Sequence, residues 1–123
     1  MQGNPALDIG LLEQQVMLAI MRLHPTAYGI SIKEQIKERT SRDYSFGAIY
    51  ASLDRLEEKG FVISRHGEPT ATRGGRRKLY FILTAPGQAA LEETLRAVDS
   101  LRKGVRWKAS VARLSMKLHL ADL

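Results

Sequence analysis

Apolar residues recur along this chain in three helical stretches, then in two short β-like runs, then in a fourth helical stripe. Over residues 7–23, Ile9, Leu12, Val16, Leu18, Ala19, Ile20 and Leu23 give an apolar face broad enough for a helix covered on more than one side. Asp8 is placed to cap it. His24-Pro25-Thr26 stops it, because proline cannot continue a helix and restricts the residue before it. A second helix is expected over 28–40, with Ile30, Ile32 and Ile36 inward and Lys33, Glu34, Lys37, Glu38 and Arg39 outside. Residues 41–44 turn the chain into the third helical stretch, 44–60, where Phe46, Ile49, Leu53 and Leu56 recur at spacings of three and four and so share one side. Ser45 is expected to cap its start and Gly60 to end it after Lys59. The other side carries Ala48, Ala51 and Arg55, with Ser52 and Lys59 on one flank and Tyr50 on the other. That face is small at its beginning and basic toward its end.

Residues 61–66 (FVISRH) and 78–84 (KLYFILT) are rich in β-branched and aromatic side chains. Between them GEPTATRGGRR is turn-forming and basic, with no apolar residue larger than alanine, so the two runs read as a hairpin with a long cationic tip. Thr84 is set to cap a fourth helix, in which Pro86 is tolerated because first-turn amides have no intrahelical acceptor. Leu91, Leu95, Val98, Leu101 and Val105 form a narrow stripe there, far from the other elements, and suit packing on another chain. Gly104 is expected to bend this helix. Residues 106–120 are again amphipathic and basic, with Val111, Leu114 and Leu118 on one side. They continue the dimer helix, form a separate short helix or make a partly ordered end.

Two helices joined by a short linker, the second of them basic outside, form a helix-turn-helix, and the hairpin adds a wing. The expected fold class is α+β, a winged helix-turn-helix with a C-terminal dimerisation helix. The sequence resembles the PadR family of transcriptional regulators in its short form. Tyr28-Gly29 carry the resemblance at the entry to the second helix, followed by Ser45, Gly47 and Tyr50, then Leu53, Leu56, Glu57 and Gly60. Arg76-Arg77-Lys78, Tyr80, Leu83-Thr84 and Gly87 continue it. Two positions depart from the family. Where Gly-Thr-Leu-Tyr-Pro is usual, this chain has Gly47-Ala48-Ile49-Tyr50-Ala51, without the hydroxyl at position 48. A histidine commonly precedes the Tyr-Gly pair, and here that place is Ala27.

Charge agrees with a polyanionic partner: 19 basic against 13 acidic residues give +6 at pH 7. There is no cysteine, which excludes disulfides, thiolate metal sites and cysteine nucleophiles, and fits a reducing cytoplasm. His24, His66 and His119 are scattered without ligand spacing, so neither a metal nor a cofactor is expected. Arg73-Gly74-Gly75-Arg76 lacks the Lys-Ser/Thr of a phosphate-binding loop and lies between strands instead of opening a helix. An enzyme is not expected. The N-terminus has no charged leader and apolar core of a signal peptide. The longest strongly apolar run, 16–21, falls far short of the roughly 20 residues that span a bilayer, so a cytoplasmic protein with no membrane partner is expected.

The expectation is a DNA-binding unit over 1–85 and a helical dimerisation segment over 86–123. The third helix is to enter the major groove of double-stranded DNA with Ser45, Ala48, Ser52 and Arg55 nearest the bases, while Tyr28 and Tyr50 stand beside phosphates or pack on the second helix. Arg73, Arg76, Arg77 and Lys78 on the wing are to hold the flanking backbone or enter the minor groove. Leu91, Leu95, Val98, Leu101 and Val105 are to join a homodimer that reads a near-palindromic operator. The resemblance implies a repressor. Trp107, the only tryptophan, either anchors the dimer or, as the resemblance implies, lines a cavity for a flat hydrophobic effector at its centre. The rival readings are a winged helix used for protein contact and a ligand-gated regulator.

Overall fold

The computed structural model describes residues 8–68 and 78–106. Its elements run α1 (Leu11–Leu23), α2 (Gly29–Thr40), α3 (Phe46–Glu58), β1 (Val62–His66), β2 (Leu79–Leu83) and α4 (Ala85–Arg102). The three first helices pack on one another, and the hairpin closes one side by contacts of β1 with α3 and β2 with α1. Val16, Met17 and Ile20 from α1, Ile32 and Ile36 from α2, and Ile49, Leu53 and Leu56 from α3 meet in one cluster with Phe61, Val62, Phe81 and Leu91. Each fully buried aliphatic side chain contributes about 1.5–3 kcal/mol before chain entropy is counted.

The start of α1 differs from expectation. Gly10 is its cap residue, and the Gly10 amide donates to Glu13 Oε1 at 3.1 Å. Asp8 does not cap. Its carbonyl instead accepts from Lys59 Nζ at 2.6 Å, and Lys59 also reaches Glu13 Oε2 at 2.8 Å. Lys59 therefore ties the end of α3 to the start of α1, and its charge is neutralised inside the fold instead of lying on an outer basic face. The Ser45 hydroxyl accepts from the Ala48 amide at 3.1 Å, as its cap position predicts, at a typical gain of about 1 kcal/mol. Gly60, at φ 76°, takes the left-handed conformation that ends α3.

Strands β1 and β2 are antiparallel, with Val62 opposite Leu83 and His66 opposite Leu79. The Phe81 amide donates to the Ala27 carbonyl at 2.8 Å, so the segment before α2 is laced onto the wing. Ala27 is buried, which places that departure from the family pattern in the core. At the root of α4 the Thr84 hydroxyl accepts from the Gly87 amide at 3.0 Å. A Cβ on Gly87 would run into the Phe61 carbonyl, so only glycine lets the helix start this close to the sheet.

Three expected inward or bridging roles are not met. Ile30 is exposed on α2, because Gly29, Ile32 and Ile36 define the buried side and position 30 lies away from it. Phe46 is 46% exposed, since Ile49, Ser52, Leu53 and Leu56 set the buried stripe of α3 and the first residue falls at its margin. Gly104, at φ 78°, lies beyond the end of α4, and so does not bend it.

Candidate nucleic-acid interface

Burial of Ile49, Ser52, Leu53 and Leu56 turns Phe46, Gly47, Tyr50, Ala51 and Asp54 to solvent, with Glu57 and Glu58 following. The outer face of α3 is thus apolar over its first two turns and charged over its last, where Asp54, Glu57 and Glu58 stand against Arg55. Ser52 follows Ile49 by three and precedes Leu56 by four, which is why it sits on the inner stripe. It is 0% exposed, and its hydroxyl accepts from Arg55 Nη2 at 3.3 Å. The expectation that Ser52 stands nearest the bases is corrected: it touches the core and Arg55. Arg55 is exposed, Ser45 is exposed at the helix cap, and Ala48 is half-buried.

Phe46 is held from one side by Lys33, whose Nζ lies 5.3 Å from the ring centroid. Lys33 also donates to Asp43, and Lys37 lies 3.6 Å from the same carboxylate. The hydrogen bond from Lys33, then the positive charges of Lys33 and Lys37, hold the Asp43 carboxyl below the usual aspartate range. This clamp closes the turn between α2 and α3, in which Ser41 takes a left-handed conformation at φ 61°.

A second cluster joins the wing root to the start of α2. Tyr28, the cap residue of α2, packs edge-on against Tyr80 with ring centroids 6.1 Å apart, and Lys78 Nζ stands 4.3 Å over the Tyr28 ring. Tyr50 is 44% exposed, and its phenol lies over Gly29. Four expected contact residues, Tyr28, Tyr50, Lys78 and Arg55, thus meet solvent or half-buried positions around α3 and the wing root. Arg73, Arg76 and Arg77 lie outside the described residues, as does Trp107. Reading the sequence missed Phe46 as a surface residue and gave no role to Tyr80 or to Asp54. The spacing of Phe46 and Tyr50, four apart on one flank, was the available signal for the first.

The stripe expected to join a homodimer is divided by the structure. Leu91 is 1% exposed and belongs to the winged core of its own chain, a correction that follows from the close start of α4 on Phe61. Leu95, Val98 and Leu101 are exposed, and Val105 is exposed beyond the helix end.

A sequence profile of the transcriptional regulator PadR-like family matches residues 17–93. The chain belongs to the PadR family. A PadR family transcription regulator from Clostridium difficile R20291 superposes with a TM-score of 0.65 at 26% identity, over 76% of this chain and 93% of that one. A PadR-like transcription factor from Bacteroides fragilis gives 0.64 at 26% identity, over 76% and 85%. The hsRosR protein, in a complex structure, gives 0.63 at 21% identity over 97% and 95%, a likeness of fold alone. No curated protein matches the sequence. The winged helix-turn-helix and a DNA-binding role in transcription regulation follow at the level of the PadR family. Regulators of this family are generally not enzymes. Among the described residues no helix is long and apolar enough to cross a membrane.

Proposed function

We propose that this PadR regulator binds a near-palindromic operator as a homodimer and represses transcription by occupying it. The observation that carries the reading is the solvent face of α3, free along its first two turns and flanked by the Lys78-Tyr28-Tyr80 cluster at the root of the wing. A recognition helix contacts bases mainly through its N-terminal residues, and the net negative charge of Asp54, Arg55, Glu57 and Glu58 at the later end of α3 agrees with that placement. Wing and helix together give a protomer one short reading surface, and single modules of that size discriminate poorly against genomic competitors. Two copies supply the rest. Leu95, Val98 and Leu101 project from α4 beyond the core and fit a seam between two protomers, with 1–85 as the DNA-binding unit and 86–123 as the dimerisation segment.

Selection of bound sequences from a random duplex pool tests this reading. Recovery of an inverted repeat with half-sites one or two turns of about 10 base pairs apart is expected. Recovery of no enriched sequence, with binding instead to an acidic protein surface, would favour the protein-contact reading. Repression is tested separately, by placing the recovered operator over a promoter and measuring transcript with and without the protein.

A further inference from the structure

We propose that α3 reads its operator through the 5-methyl groups of thymine, covered by Phe46, Tyr50 and Ala51, instead of through hydrogen bonds to base edges; this rests on the DNA-binding reading above.

The argument begins with what the first two turns of α3 present. Phe46, Gly47, Tyr50 and Ala51 are exposed there, and Tyr50 alone carries a polar side-chain group. That phenol is turned onto Gly29 of α2. Arg55, one turn further, bends its guanidinium back to Ser52 at 3.3 Å. No arginine, lysine, asparagine or glutamine lies on the first two turns, so the side chains that pair with guanine or adenine in the major groove are missing from the part of the helix that enters it.

Charge sets the depth. Asp54, Glu57 and Glu58 are exposed on the later part of α3 against one exposed cation, Arg55, and this net negative charge is repelled by the phosphate rows on either side of a groove. Insertion therefore favours the first two turns, where the surface is a ring, a ring edge and a methyl. Thymine's methyl is the apolar feature among the base edges of the major groove, and apolar side chains recognise it by covering it.

Phe46 is suited to this by being fixed. Lys33 stands over its ring at 5.3 Å and is itself bound to Asp43, so the aromatic ring is oriented from within while 46% of the residue stays in solvent. An exposed, oriented aromatic at the head of a recognition helix gains by covering apolar surface.

The test uses the operator recovered from the random pool, with thymines replaced one at a time by deoxyuridine, which removes the methyl and keeps the base pairing. Wild-type protein is expected to bind roughly fourfold more weakly at one or more thymines of each half-site, the value of one buried methyl group. Phe46→Ala should bind the thymine and uracil forms alike at the position its ring covers, while Phe46→Leu should keep part of the difference. Thermal unfolding of both variants shows that the fold is retained. Selective binding by wild type with no loss at any uracil position would overturn methyl readout and leave the DNA-binding reading standing. Absence of selective binding to any duplex would overturn both.

Discussion

The Tyr50 phenol lies over Gly29, so close that a Cβ at that residue would collide with it. Through this contact α3 and the start of α2 touch at one point. Gly29→Ala should push the phenol off α2. The ring is half in solvent and free to swing, and alanine favours the helix by up to about 1 kcal/mol. Stability should therefore change by no more than about 1 kcal/mol, while operator affinity falls. Denaturant melts and operator titrations on the same variant check the two halves; a large loss of stability would mean that Tyr50 cannot move.

Lys59 and Glu13 form a pair whose side chains are only 18% and 10% exposed. Removing one partner from a buried pair leaves an unpaired charge. Lys59→Met should cost about 3 kcal/mol, the low end for such a break. Adding Glu13→Leu should restore much of it. Urea denaturation of the two single variants and the double variant gives the coupling, and additive losses would show that the pair is not coupled.

Asp54 is exposed on α3, where the proposed major-groove placement would bring phosphates past on either side. Removing its charge should strengthen binding to every duplex, selected or scrambled, by roughly twofold per protomer, the size of a Coulomb interaction across about 8 Å in water. Competition titrations of Asp54→Asn against both duplexes measure this. A gain confined to the selected operator would instead place the side chain against a base.

Leu95 and Val98 leave the winged core on α4, whereas Leu91 stays in it. Leu95→Glu with Val98→Glu should bring like charges together in an apolar seam and dissociate the proposed homodimer, while each monomer keeps its winged core. Light scattering and circular dichroism together read that outcome. Loss of helical signal along with dissociation would show that the stripe packs on its own chain.

Most of the fold was legible because its signals are local. The Ser45 and Thr84 caps, the Gly60 stop, and the β-branched and aromatic hairpin runs follow from residue chemistry within a few positions. Apart from the Asp8 cap and the Gly104 bend, the misses are questions of which side of a helix faces in. Ser52 reads as a flank residue by polarity, but its offsets from Ile49 and Leu56 put it inside. Phe46 and Ile30 read as core residues by hydrophobicity, yet stand at the edges of stripes whose centres are fixed by neighbouring helices. Lys59 counted toward a basic face because its partner, Glu13, lies 46 positions away in sequence. The Leu91 stripe could not be divided from periodicity alone, since helical spacing does not say where a helix leaves its own core.

The most direct test of the account is binding of the wild-type protein to the selected operator as a function of salt, with stoichiometry measured in the same series. Two protomers per operator are predicted, with log Kobs falling against log salt by roughly 0.9 for each phosphate neutralised and by about 4 or more in all. A single protomer per site, or an affinity indifferent to salt, would contradict it.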